Sequence, residues 1–295
     1  MKKILCFFLL ITITNGFSQK DPNIYDFFGG KTFGNNAVFF RLVFQINNGN
    51  VNGYMFTDEQ GSQETKSIIK GKFNYKTKRI SFIETRKLLS RVSTKFENSC
   101  YLEGNLSLEL NPKISKLKGL FIEQTVAKEK CFNGKINLIS LDAYKQLTAE
   151  IKKEKIDIVK PIKQIKDTIK EPVTILPAFE TDRKTTIKDD EEVIVYWESK
   201  ILKLSVWDDM KEDGDKISIQ LNEKPVLDHF ELKNTHKDVE LDLIKGENIL
   251  IITANNTGTL ANNTARVDLF DNELKHQIIT ELKVNKSVKI IIKKQ

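Results

Sequence analysis

Apolar and polar positions alternate with a period of two along most of this chain, which is the signature of strands with one buried face. In AVFFRLVFQI, residues 37–46, the alternation puts Val38, Phe40, Leu42, Phe44 and Ile46 on one side. The following Asn47-Asn48-Gly49-Asn50 supplies hairpin-turn chemistry, and residues 51–56 return as a second strand. Further short strands are expected at 67–73, 79–84, 101–110, 116–123 and 135–139, separated by Gly-, Asn-, Pro- or Lys-rich turns. Regular short strands joined by tight turns predict an antiparallel β-barrel or sandwich over residues 19–140.

The period then changes. Ser140 reads as an N-cap, and Leu141, Tyr144, Leu147 and Ile151 recur at helical spacing, so one helix is expected over about 141–155. Beyond it, KPIKQIKDTIKEPVTILP carries prolines at 161, 172 and 177 among Ile-Lys pairs, which predicts an extended, positively charged tether up to residue 190. Strand alternation resumes at 192–197, 200–207, 216–221, 226–232, 237–243, 248–254, 264–270, 274–284 and 287–293. Leu202, Leu204 and Val206 share one face of their strand, as do Ile217, Ile219 and Leu221, so residues 191–295 are expected to form a β-sandwich of jelly-roll or immunoglobulin-like type. The chain as a whole is predicted to be all-β.

The first residues bear on compartment. Met1-Lys2-Lys3 is a basic head, residues 4–13 are almost wholly apolar, and Gly16 and Ser18 are small residues at a cleavage site, so residues 1–18 are expected to be a secretory signal peptide. Ten apolar residues are too few to span a bilayer, which takes about 20, so no transmembrane segment is expected in the mature chain. Export removes Cys6 and leaves Cys100 and Cys131 as an even pair in an oxidising compartment, where a disulfide is expected. Closing a loop of that size contributes about 3 to 4 kcal/mol in the chain-entropy model.

Charge narrows the partner class. Of the formal net charge of +7, Lys2 and Lys3 belong to the signal, and the remaining basic excess is concentrated between Lys145 and Lys170. A basic connector between mixed-charge modules argues against nucleic acid as the partner. Its lysines can instead serve as a docking stripe for acidic surface glycan. The 40% hydrophobic content is enough for two cores of ordinary domain size.

Carboxylates are densest in WDDMKEDGDKISIQLN, residues 207–222, where Asp208, Asp209, Glu212, Asp213 and Asp215 crowd one loop. Such crowding is relieved by solvent, by backbone amides or by a hard cation such as calcium. An EF-hand is excluded, because setting Gly214 at the invariant glycine leaves Lys211 and Gln220 where ligands belong. A sandwich-loop calcium site would hold the ion with Asp208, Asp209, Asp213 and Asp215, recruit Asn255 and Asn256, and use Trp207 to stack on a sugar, whereas a tryptophan at a strand end more often plugs the end of the core. The alternative is a solvated turn whose aspartates accept backbone hydrogen bonds. Glu84 shares the phase of Ile80 and Phe82, which places a carboxylate inside the first module beside a structural Arg or hydroxyl partner.

The stretches WDDMKEDGDKISIQLN, ELDLIKGENILIITANN and NNTARVDLFD together resemble a β module recurrent in secreted proteins of Bacteroidetes. The domain that often precedes that module is resembled by IIKGKFNYKTKRISFIET, by Cys100, and by CFNGKINL around Cys131. Two departures are Asn262-Asn263 in place of a proline pair and the absence of a tryptophan beside Cys100. The resemblance implies an exported two-module β architecture and no particular chemistry. Asp167-Thr168-Ile169 fits the pattern used for O-glycosylation in that phylum, at Thr168.

Enzyme motifs are sparse. Gly29-Gly30-Lys31-Thr32 imitates the end of a P-loop, but residue 25 is tyrosine where the leading glycine belongs. His229, His236 and His276 lack metal-ligand spacing, and no nucleophile elbow is present. The expectation is an exported, non-catalytic binding or scaffolding protein of the periplasm or cell surface, without an obligate cofactor. Its partner would be an envelope protein or a surface glycan. A calcium-dependent carbohydrate-binding module is the second reading, and a hydrolase with a spatially assembled site the third.

Overall fold

The computed structural model describes residues 24–59, 61–91, 100–154, 184–208, 212–259, 262–272 and 274–294. The signal peptide, most of the charged connector, Asp209 and Thr168 lie outside the described residues. The chain is nearly all β, as its alternation dictates, with eighteen strands and one helix among the described residues.

Eight strands form an up-and-down antiparallel barrel. They are β1 (Ile24–Phe33), β2 (Asn36–Asn47), β3 (Asn50–Thr57), β4 (Thr65–Asn74), β5 (Arg79–Ser90), β6 (Tyr101–Glu109), β7 (Lys116–Gln124) and β8 (Lys130–Ser140). Each pairs with its neighbour in sequence, and β8 closes the ring against β1 through Phe28 opposite Ile139. Closure removes free sheet edges. The interior holds Phe27, Phe40, Phe44, Phe82 and Phe121 with aliphatic residues of every other strand, so the alternating positions do form the core.

Inward-facing glycines let the strands approach closely. A Cβ at Gly29 would collide with the Asn137 carbonyl oxygen, and one at Gly53 with that of Val43. This accounts for β1, which the alternation did not reveal: its inward positions include Gly29 and Lys31 in place of apolar side chains. The apparent P-loop is therefore strand, with Lys31 buried and paired to Glu123 at 2.6 Å beneath the rings of Phe33, Phe40 and Phe121. Cys100 and Cys131 are bridged, with Cα atoms 6.4 Å apart, joining the start of β6 to β8 across the end of β7.

Helix α1 (Leu141–Glu154) follows β8 directly and lays Tyr144 on Phe28, ring centres 4.5 Å apart. The remaining strands are β9 (Thr185–Lys188), β10 (Glu192–Trp197), β11 (Ile201–Trp207), β12 (Lys216–Leu221), β13 (Lys224–Glu231), β14 (Lys237–Asp242), β15 (Gly246–Ala254), β16 (Asn263–Asp271), β17 (Leu274–Leu282) and β18 (Ser287–Lys294). They form two packed sheets, ordered β13-β12-β15-β18-β10 and β14-β11-β16-β17-β9. Strand β9 corrects the expected tether: residues 185–188 pair parallel with β17 and bury Ile187 in the sandwich core. Four residues are too few to register as alternation in a Lys- and Thr-rich stretch.

The barrel and the sandwich share a sheet. Up to Ile83, β5 pairs with β6; register shifts against β4 then re-aim it, and its last residues pair with β10. Bulges re-aim strands in this way because an extra residue raises the local twist. Leu89 thereby enters the sandwich core. Polar contacts support the junction: Arg86 pairs with Glu198, and Arg91 pairs with Glu64 and Glu191 and donates to the Thr186 carbonyl.

Candidate functional site

The acidic loop joins β11 to β12 at one end of the sandwich. Asp208 and Asp215 are buried, at 2% and 1% exposure. One oxygen of Asp215 accepts the Thr264 amide at 2.7 Å; the other has no hydrogen-bond donor among the described residues. Burial, reinforced by the charges of Asp213 and Asp208, pushes the Asp215 carboxyl up to about 6 from an ordinary value of 3.8, against the stabilising Thr264 bond. Glu212 turns outward and accepts the Asn234 amide at 2.7 Å.

The 255–259 loop folds against these acids. Asn256 accepts the Lys216 amide and donates to the Gly214 carbonyl, while the Thr259 amide reaches the Asp213 carbonyl. Gly258 is required here by close approach, since a Cβ would meet Asp213 at 2.6 Å, and by its φ of +54°. Asn263, fully buried, donates to the carbonyls of Lys216 and Asn256, and its own side-chain oxygen has no donor among the described residues. Asn255 accepts from Ser218. Asp208, Asp213, Asp215, Asn255 and Asn256 thus lie at one end of the fold, but among the described residues no three His, Cys, Asp or Glu side chains converge as a metal cage.

Trp207 takes the buried one of its two expected places and not the sugar platform. Instead of presenting an open face to a sugar, it is 8% exposed, with His236 stacked on it at 3.9 Å between ring centres and the Arg266 guanidinium over the ring. The strand puts it opposite Arg266, and the turn before β14 brings His236 down, so both partners come from beyond the local sequence. Ser205, two residues earlier, is hydrogen-bonded to His236 at 3.0 Å and lies opposite Asp268. That grouping resembles a hydrolytic set, but Ser205 is 3% exposed and Asp268 is engaged with Lys275 at 2.7 Å.

Glu84 is buried in the barrel and accepts from the Ser67 hydroxyl at 2.7 Å and the Leu102 amide at 3.0 Å. Burial raises its pKa, opposed by those bonds and by Lys87. It sits where β5 leaves β6, so its carboxylate satisfies an amide that the departing strand no longer can.

A concave surface on the barrel was not foreseen. The outer wall of β3 to β7 carries a groove of about 880 Å³. Ile83 of β5 and Ile122 of β7 flank Glu103 of β6, while Leu120 lies opposite Asn105. Ile83, Leu120 and Ile122 are 48%, 62% and 42% exposed, an apolar cluster on a face where alternation normally places polar residues. The signal was present as Leu120-Phe121-Ile122 and Phe82-Ile83, in which both faces of the strand are apolar. Only pairing of β5, β6 and β7 assembles them.

Compared with known proteins, the chain matches no family model, no curated protein and no solved structure.

Proposed function

We propose that this protein is an exported, non-catalytic binding or scaffolding component of the cell envelope. The observation that carries this reading is the outer-wall groove with its exposed Ile83, Leu120 and Ile122, mounted on a closed barrel that continues by one sheet into the sandwich. Exposed aliphatic side chains grouped on one wall cost solvation free energy unless a partner covers them. The disulfide fits an oxidising compartment, and no helix among the described residues is long and apolar enough to cross a membrane. The resemblance to secreted Bacteroidetes β modules points the same way. A photo-crosslinking residue at Leu120, in cells expressing the full chain, should give a discrete adduct with an envelope component, whereas the same probe at exposed Ile244 on the sandwich should not. Equal or absent labelling at both positions would overturn the reading.

A calcium-dependent carbohydrate-binding module is the second reading, favoured by the oxygens of Asp215 and Asn263 that are buried without donors among the described residues, beside a loop carrying Asp208 and Asp213. Binding to the native state alone raises the melting temperature. The midpoint in millimolar calcium should exceed that in EDTA by several degrees, and coincident curves would remove calcium from the account.

A further inference from the structure

We propose that the outer wall of the barrel is a binding site for an acidic polysaccharide, one bearing carboxylates along a sugar chain. The proposal rests on the binding reading above and names the class of ligand for the same face.

Three observations converge. First, the groove over β3 to β7 runs into a second concavity of about 670 Å³ around the β4–β5 hairpin; the two share Lys72, Ser81 and Asn105. Crossing five neighbouring strands, the first groove alone extends over roughly 19 Å at the usual strand spacing, long enough for several sugar units.

Second, the lining is cationic and uncompensated. Lys70, Lys72, Lys76 and Arg79 border the two concavities, and none has a carboxylate partner among the described residues. Lys72 is held by the Asn50 side-chain oxygen at 2.6 Å, and Arg79 by that of Asn105 at 2.9 Å. The one acid along the lining, Glu103, is already paired with Lys128 at 2.8 Å. Four cations bordering two adjoining concavities, two of them held in place, create a potential that an anionic chain relieves. Asn50 and Asn105, which orient two of these cations, also bring amide groups to the same surface, where sugar hydroxyls find both donors and acceptors.

Third, an aromatic ring is held in the open beside those charges. Tyr75 is 57% exposed, yet its ring packs edge-on against Phe73 at 4.9 Å and its hydroxyl accepts the Gly49 amide at 3.2 Å. The Asn74 side chain accepts the amides of Lys76 and Thr77 and fixes the hairpin that carries it. An exposed tyrosine braced at both ends loses little entropy when a sugar ring stacks on it. Ile83, Leu120 and Ile122 extend the apolar surface under the far part of the chain. Cations, amides and a braced ring on the adjoining concavities match carboxylate, hydroxyl and the apolar face of a pyranose respectively.

Affinity measurements on the full mature chain at about 150 mM salt test this, where long-range attraction between exposed charges is largely screened. Polygalacturonate is the probe, with neutral dextran and single-stranded DNA as comparisons. Polygalacturonate should bind, dextran and DNA much more weakly. Lys72→Gln with Arg79→Gln should weaken binding about tenfold or more, and Tyr75→Ala, which changes no charge, roughly five- to tenfold. The equal charge change Lys237→Gln with Lys245→Gln, on exposed sandwich positions, should leave affinity unchanged. Unaltered melting midpoints in these surface variants separate lost contacts from lost fold. Equal weakening by the sandwich pair, no effect of Tyr75→Ala, or equal binding of DNA would show non-specific attraction and overturn the proposal. If polygalacturonate does not bind while the Leu120 adduct persists, the acidic glycan is excluded and the binding reading stands. Loss of both removes the reading itself.

Discussion

Leu89 of β5 lies directly opposite Val195 of β10, and through that pair the barrel and the sandwich become one continuous sheet. Leu89 is a barrel-strand residue by sequence, yet its side chain belongs to the sandwich core and is 4% exposed. Leu89→Ala should therefore cost about 2 to 4 kcal/mol, the usual range for truncating a buried leucine. Denaturant unfolding followed separately through the two modules should show the sandwich transition moving with this barrel substitution. A sandwich transition that stays in place would mean that the junction carries no stability.

The Cys100–Cys131 bridge closes a loop of 31 residues across β7. Its loss in Cys100→Ser with Cys131→Ser should lower stability by about 3 to 4 kcal/mol in the loop-closure model. The change should appear as a lower denaturation midpoint of the barrel, with a smaller effect on the sandwich.

Two adjacent glycines should respond oppositely to alanine. Gly29 faces inward against the Asn137 carbonyl and the Leu138 backbone, so Gly29→Ala forces neighbouring strands apart, at about 2 to 3 kcal/mol. Gly30 faces outward, where a Cβ would meet only the Val38 carbonyl oxygen at 3.9 Å. Gly30→Ala should be neutral or stabilise by up to about 1 kcal/mol, because alanine restricts the unfolded chain. Melting curves of the two variants would distinguish barrel-closing glycine from incidental glycine.

Asp215 and His276 should give stability opposite dependences on pH. Asp215 holds its proton up to about pH 6 in the fold and only to about 3.8 when unfolded, so the native state carries more protons between those values. Its contribution is most favourable at low pH and is lost as pH rises through that window. Asp215→Asn, tested without calcium, should accordingly stabilise the protein at pH 7 by about 1 to 3 kcal/mol. If calcium normally occupies the loop, the same substitution should be destabilising in millimolar calcium.

His276 is buried beside Trp197, and burial, then the charges of Lys66 and Arg86, lowers its pKa to about 3 from an ordinary 6.5. Here the unfolded chain carries the extra proton, so the contribution is complete above pH 6.5 and falls away as pH drops toward 3. His276→Phe keeps a ring against Trp197 and should flatten the acid side of a stability profile by about 3 to 4 kcal/mol across that interval. An unchanged acid limb would show that His276 is not the group responsible.

Most strands of the sandwich were legible residue by residue, because alternation between Leu202, Leu204 and Val206, or Ile217, Ile219 and Leu221, records directly which face is buried. The helix after Ser140 and the hidden carboxylate of Glu84 were legible for the same reason. Strand β1 was not, since glycine and lysine replace apolar residues on its inner face, and β9 was too short to establish a period. Proximity of the acidic loop to Asn255 and Asn256 was foreseeable as loops at the same end of a sandwich. The sealing of Trp207 by His236 and Arg266 was not, because those residues lie 29 and 59 positions along the chain and meet only through strand pairing.

The sequence by itself determined that this is an all-β chain, where most strands begin and end, and which face is buried in the cleanly alternating strands, since those properties follow from local period and turn chemistry. Tertiary structure alone decided that the first eight strands close into a barrel, that β5 crosses into the sandwich, and that Ile83 and Leu120 line one concavity that adjoins, at Lys72, a second one lined by Tyr75. Those outcomes depend on register between distant strands. A period of two states which way a side chain points, but not which strand will lie beside it.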